Sequence, residues 1–279
     1  FAGDEFSNNL FSDLAPLLTL FGEQVTKQFL SMSMGWADNV LLAMGPLGIM
    51  TVIVSAIRVG GIKRLKAIVG RARESRSTAE QELLSSTSQD VCELWSGEEI
   101  VRLIGNPQGM KCLIVTNEAR VYDLKSAIEH KLFRSDMVPP EVTATLTNAA
   151  PNLALNVKNA NAPGWELWLW AFFGVALQLI AIAIPGVATY HWQWPKAGAS
   201  VAAYGYPCFA IGTVLVIGGV LGCGHVIEGI TTEHVFQPEH RGRKAGMQVL
   251  VLQRACTVSD QHFSSYAIFN SPENRTIRT

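Results

Sequence analysis

Charge is scarce in this sequence. Of its 279 residues, 16% are Asp, Glu, Lys or Arg and 48% are hydrophobic, against roughly 25% charged in soluble globular chains. The deficit is local, because long apolar runs alternate with polar stretches of ordinary composition. That pattern excludes a uniformly greasy soluble core and describes a membrane protein with aqueous parts. The net charge of −1 leaves no basic footprint for nucleic acid. A disulfide framework is also missing: the five cysteines, Cys92, Cys112, Cys208, Cys223 and Cys256, are odd in number and irregular in spacing. No basic–apolar–small signal opens the chain, since Phe1–Asn9 is polar and acidic. The start at Phe1 and the polar tail lead us to expect a piece of a longer polypeptide.

What is present begins with an amphipathic pattern over residues 10–34. Leu14, Leu17, Leu18, Phe21, Val25, Phe29 and Met32 recur at helical spacing, with Glu23, Gln24, Lys27 and Gln28 on other faces. The run from Val40 to Val59 then holds no charge before Arg58. About 20 residues at 1.5 Å each match a hydrocarbon core of roughly 30 Å, so the run predicts a span, kinked at Pro46. Residues 165–189 and 204–228 give two further spans. Trp165, Trp168 and Trp170 supply an aromatic belt at one end of the former, and Tyr190, Trp192 and Trp194 supply the other.

Cations cluster after the first run. Lys63, Arg64, Lys66, Arg71 and Arg73 interleave with Ile62, Leu65, Ile68 and Val69. Two readings fit: a helix lying on an anionic leaflet, worth about 1 kcal/mol per basic residue, or a solvated flank that only sets topology. Both place this side in the cytosol, as does the His240–Lys244 block. The predicted order is an extracytosolic N-terminal segment (1–36), a first span (37–60) and a cytosolic stretch (61–164). A second span (165–189), a short outer loop (190–203), a third span (204–228) and a cytosolic C-terminal segment (229–279) follow. The fold class is therefore membrane α-helical with three spans and a small cytosolic α+β domain.

Within that domain, Ser77-Thr78-Ala79-Glu80 fits a capping box, and a second helical pattern runs from Ser88 through Val91, Leu94 and Trp95 to Ile104. Strands are expected at 111–116, 120–124, 142–146, 153–157, 247–253 and 263–269. The last two would complete the sheet begun before the second span.

Candidate chemistry is thin. Gly105 to Lys111 brushes a phosphate-loop pattern, but the spacing is wrong and the loop precedes a strand. Cys223, His225 and Glu228 offer metal-ligand types, yet on a helix Cys223 and His225 point to different faces. Asp260, His262, Ser264 and Ser265 are neighbours in sequence, which does not make a triad. No catalytic, cofactor or metal residue is predicted. Gln178 is the most informative polar residue, since an amide deep in a bilayer faces other helices or a water-filled path. The middles of the spans lack Asp, Glu, Lys and Arg, which argues against a proton relay or voltage sensor. Gly218 and Gly222 stand four apart, as do Cys208 and Gly212, and such spacing lets helices approach closely, within the chain or between copies. Helix-packing or pore candidates are thus Pro46, Gln178, Gly212, Gly218 and Gly222. Three helices alone cannot enclose a substrate path, so conduction would need several subunits.

The stretches GPLGIMTVIVSAIRVGG (45–61), GRARES (70–75), AEQELLSSTSQDVCELW (79–95) and DQHFSSYAIF (260–269) resemble uncharacterised multi-span membrane proteins of filamentous fungi. The similarity extends over most of the chain, and such relatives sometimes carry ankyrin repeats beyond this module. No ankyrin pattern occurs in these 279 residues. The resemblance implies a fungal membrane module and supplies no activity. The expectation is a non-enzymatic module that anchors and oligomerises a receptor or scaffold, with partners in an anionic cytosolic leaflet and in further copies or another membrane protein. An oligomeric channel subunit is the alternative, and a membrane-bound enzyme the second alternative.

Overall fold

A computed structural model describes residues 21–33, 35–45, 47–105, 110–134, 152–156, 163–193, 202, 204–270 and 277–278. Its helices are residues 21–32 (α1), Trp36–Met44 (α2), Ile49–Gly60 (α3), Lys63–Ile68 (α4), Arg76–Leu83 (α5), Leu124–Glu129 (α6), Gly164–Tyr190 (α7), Gly205–Glu228 (α8) and His240–Lys244 (α9). The strands are Val91–Trp95 (β1), Ile100–Ile104 (β2), Met110–Val115 (β3), Val121–Asp123 (β4), Phe133–Arg134 (β5), Val235–Pro238 (β6), Gln248–Gln253 (β7), Cys256–Val258 (β8), Gln261–Phe263 (β9), Tyr266–Phe269 (β10) and Ile277–Arg278 (β11). The chain divides into two units, one of Phe1–Glu74 with Ala162–Ile230, the other of Ser75–Asn161 with Thr231–Thr279.

The first unit is helical. Two helices, α7 with 27 residues and α8 with 24, are long and apolar enough to cross a membrane. The run over 40–59 does not form one span. It is split into α2, of 9 residues, and α3, of 12. At 1.5 Å per residue α3 reaches only about 18 Å, short of the roughly 30 Å hydrocarbon core. The reason lies in the sequence Gly45-Pro46-Leu47-Gly48: proline offers no N–H and disfavours helical geometry in the residue before it. Gly45 leaves the helix at φ −138°, ψ 59°, and Gly48 re-enters the next from φ −130°, ψ 64°. Of the amphipathic pattern at 10–34, the described part is helical over 21–32; the earlier part and the Phe1–Asn9 segment lie outside the described residues.

The second unit is α+β, and among its described residues all strand pairs are antiparallel. A four-stranded sheet runs β10-β7-β3-β4, with β1-β2, β11-β6-β5 and β8-β9 as smaller sheets. Strand β3 pairs with β7 from Met110↔Gln253 to Val115↔Gln248, so the C-terminal segment does complete the sheet begun before α7. In β7, Val249, Val251 and Gln253 are buried while their alternate neighbours are half-exposed, the period-2 signature of a strand with one covered face. The core collects Ile114, Leu124, Ala127, Phe133, Phe236 and Met247, and a smaller cluster holds Cys92, Leu94 and Phe263.

Three local expectations fail here for physical reasons. The helix expected from Ser88 to Ile104 is the β1–β2 hairpin, registered from Val91↔Ile104 to Trp95↔Ile100. Its turn needs Gly97 at φ +108°, a conformation that costs a side-chain-bearing residue dearly. The α5 cap is Ser75, whose hydroxyl accepts from the Thr78 amide at 3.1 Å. Glu80, expected to close a box with Ser77, instead accepts from the Ser88 hydroxyl at 3.2 Å. Residues 154–156 form a 3-10 turn in place of a strand, because Glu93 draws the Leu153 and Ala154 amides onto one carboxylate oxygen at 2.8 and 2.9 Å. The strand expected at 142–146 lies outside the described residues.

Candidate functional site: a broken helix against two long apolar helices

The break between α2 and α3 organises the helical unit. A helix C-terminus leaves carbonyls without intrahelical partners, and in an apolar setting each must be met from elsewhere. Gln178, fourteen residues into α7, donates its Nε2 to the Met44 carbonyl at 2.6 Å. The α2 backbone comes close to α7 because Gly174 faces it: a Cβ there would lie 3.1 Å from Met44 Cβ. Helix α1 closes over the break from another side. A Cβ on Gly48 would stand 2.7 Å from Thr26 Oγ1, and one on Gly22 would stand 2.7 Å from the Leu47 carbonyl oxygen. Thr26 and Leu30 are buried there. The Glu23–Lys27 ion pair, at 2.9 Å, lies on the outward side.

Both ends of the broken run return to the same place. At the start of α2, Asn39 is fully buried and donates Nδ2 to Glu228 Oε2 at 2.6 Å. Gly224 makes room for it, and Trp36 stacks on His225 with ring centroids 4.8 Å apart. At the end of α3, Gly60 abuts Val226. Thus α2 runs toward the middle of α7 and α8, and α3 runs back to the final turns of α8. Toward their far ends α7 and α8 meet through Gly186 and Tyr206, and Tyr206 packs edge-on against Tyr190.

The cations divide into two kinds. Arg58, at the last turn of α3, is buried and grips Glu74 through Nη2 at 2.6 Å and Nε at 3.1 Å, both side chains under 5% exposed. Arg71 approaches the same carboxylate at 3.6 Å. Lys63, Arg64, Arg71 and Arg73 are exposed and Lys66 half-buried. Along α4 they flank an uncovered apolar stripe, in which Ile62 is 65% and Ile68 80% exposed.

The candidates read from sequence fall out as follows. Gln178 meets a backbone carbonyl, so it joins helices. A Cβ built on Gly212, Gly218 or Gly222 meets nothing within 4 Å among the described residues. Pro46 itself lies outside the described residues, although the glycines on both sides mark the break. His225 and Glu228 are engaged by Trp36 and Asn39, and among the described residues no group of three potential metal ligands forms. His262 meets Thr257 across the exposed β8–β9 hairpin at 3.3 Å. An open cleft of about 410 Å³ lies along Ala43, Gln178, Cys208, Gly212, Thr213 and Val216. Asn39 was the residue missed from sequence. A lone amide near the start of an apolar run was its only signal.

Comparison with protein-family models, curated proteins and solved structures yields no match to any of the three.

Proposed function

We propose that this chain is a non-enzymatic membrane module, of the filamentous-fungal kind suggested by its sequence, which anchors and oligomerises a receptor or scaffold. The observation that carries the reading is the uncovered length of α7 and α8. In their most apolar stretches only 6% and 17% of residues are buried by the rest of the chain. Apolar surface of that extent is not left to water by soluble proteins. The aromatic residues support the same placement: Trp168 and Tyr190 stand about 33 Å apart along α7, each more than half exposed, as interfacial belts do.

On this reading α2 and α3 form a re-entrant hairpin whose tip lies at mid-depth, where Gln178 and α1 cover its irregular backbone. The positive-inside rule puts the cation-rich segment 58–76 and the His240–Lys244 block in the cytosol. The start of α2 then lies on that side, which departs from the extracytosolic placement expected for residues 1–36, and α4 lies on the anionic leaflet. The open glycine face of α8 meets a second copy.

The test is extraction and mass. Expressed chain should resist alkaline carbonate, enter detergent, and give particles of several copies in nanodiscs. Monodisperse protein in detergent-free buffer would overturn the membrane reading, and single copies in nanodiscs would overturn the oligomer.

A channel subunit is the second reading, favoured by the broken hairpin and the cleft beside Gln178. Bilayer recordings that show conductance altered by Gln178→Leu would promote it, and silent bilayers would remove it.

A further inference from the structure

The inner face of the four-stranded sheet is filled at its two ends and open between them. Register places Cys112 opposite Val251, and Ile268 opposite Val251 from the other side, so the three share this face. One end is packed by Ile114, Val249, Phe236 and Met247, and the other by Leu94, Phe263 and Cys92. Between them, among the described residues, lies a partly open cavity of about 600 Å³. Protein interiors are packed like organic crystals, and small-molecule sites occupy roughly 300–1,000 Å³. A gap of this size on a covered sheet face has the dimensions of a site, not of a packing defect.

Its walls are held in place by buried polar contacts. The 3-10 turn carrying Leu153 and Asn156 is fixed by Glu93, which also accepts from Arg102 at 2.9 Å, and by Asn152, whose Oδ1 accepts from the Leu155 amide. The Trp95 wall is tied to β7 by Gln253, which accepts from the Trp95 amide and donates to its carbonyl, both at 2.8 Å. The opposite wall follows β10 from Tyr266 to Asn270, about 13 Å of extended chain.

The lining sets the chemistry of the occupant. Among the described residues it is aliphatic and aromatic apart from the Cys112 thiol, Asn156, Asn270 and the Tyr266 phenol, and carries no carboxylate, ammonium, guanidinium or imidazole. A charged group buried here would have no counter-charge among the described lining residues, whereas a hydroxyl could meet the Tyr266 phenol. At about 30 Å³ per non-hydrogen atom, the share of a water in the liquid, the space holds on the order of 20 atoms. That is enough for the whole of a long-chain alcohol or for the greater part of a sterol whose remainder projects through the opening. Burial also pushes the Cys112 thiol up to about 12, as expected of a wall shielded from water.

We infer that this cavity is a binding site for an uncharged lipid alcohol, a long-chain alcohol or a sterol. The test uses the full chain in nanodiscs with a diazirine-bearing hexadecanol, irradiated and mapped by peptide mass spectrometry. Adducts are expected on peptides bearing 153–156, 249–251 and 266–270. Excess unlabelled hexadecanol or cholesterol should reduce them at least tenfold, and the more effective competitor names the source; hexadecyl phosphate should not compete. Cys112→Trp or Ile268→Trp should lower these adducts tenfold. Adducts in 164–190 and 205–228, where the probe dissolves in the bilayer, should stay constant and report intact insertion. Labelling confined to those two helices would overturn the inference, as would cavity labelling that neither alcohol displaces or that hexadecyl phosphate displaces equally. The competition arm needs no variant, so a misfolded substitution does not blunt it.

Discussion

The side-chain amide of Gln178 donates to the backbone carbonyl of Met44 across 134 positions of sequence. It converts a helix end into a joint. Replacing it with leucine removes the donor and leaves the carbonyl facing an apolar wall. Interhelical hydrogen bonds in membranes are worth about 0.6–2 kcal/mol, and Gln178→Leu should lower the unfolding free energy in nanodiscs by about that amount. An unchanged melting profile would mean that water or lipid already serves Met44.

The glycines separate packing from assembly. Gly48→Ala and Gly224→Ala each place a Cβ less than 3 Å from a neighbour, Thr26 Oγ1 and Asn39 Oδ1 respectively. Both should destabilise the helical unit, by about 1–3 kcal/mol as overpacking does. Gly218→Ala and Gly222→Ala add a Cβ that meets nothing within 4 Å among the described residues, so they should leave the melting of the subunit unchanged while reducing the particle mass in nanodiscs. Equal effects from the two pairs would show that the α8 face does not mediate assembly.

Arg58 and Glu74 should respond differently from the other charges nearby. Their pair is almost fully buried, and removing one partner of such a pair costs about 3–5 kcal/mol. Arg58→Gln should therefore destabilise strongly by thermal melting. Lys63→Gln, Arg64→Gln and Lys66→Gln combined should melt as the parent does. Their effect should show instead in retention of phosphatidylserine by native mass spectrometry, at about 1 kcal/mol per charge and weakening with salt. Loss of lipid retention in Arg58→Gln, with the triple variant unaffected, would reverse these roles.

Asp123 gives the α+β unit a pH-dependent cap. Its carboxylate accepts from the Ser126 amide at 2.8 Å, and the side-chain and backbone hydrogen bonds from Ser126 hold its pKa below the usual carboxylate value. A group whose pKa is depressed by folding adds stability above its unfolded pKa and loses it as pH falls through the folded one. Asp123→Ala should cost about 1 kcal/mol at neutral pH, read as faster amide exchange in α6. Below the carboxylate range wild type and variant should exchange alike. A difference that persists in acid would show that the cap does not work through charge.

The two long helices were legible because hydropathy over twenty residues admits one interpretation, and β3 and β7 because each is a short continuous run rich in β-favouring apolar residues. The hairpin at 91–104 was not. Val91, Leu94 and Trp95, then Ile100, Val101 and Ile104, satisfy helical spacing as well as two short strands, and only Gly97 breaks the tie. At Pro46 the interruption was visible, but hydropathy holds no information on which way a chain turns after it. That direction is set by Asn39 finding Glu228 and by Gly60 finding Val226, contacts between residues more than 160 positions apart. The cavity on the sheet depends on what two distant segments leave unfilled, and no local pattern records a gap.

The pairing of β3 with β7 bears on how the molecule is made. The centre of the sheet joins residues 110–115 to 248–253, and everything between them, including α7 and α8, must be synthesised first. A ribosome that has delivered β3 has made an edge whose partner, β7, follows only after both long helices. The centre of the sheet therefore closes only after both long helices have been made, and a chain truncated before β7 would leave that edge of β3 unpaired. Closure of the split sheet thereby reports that the whole stretch from β3 to β7 has been translated.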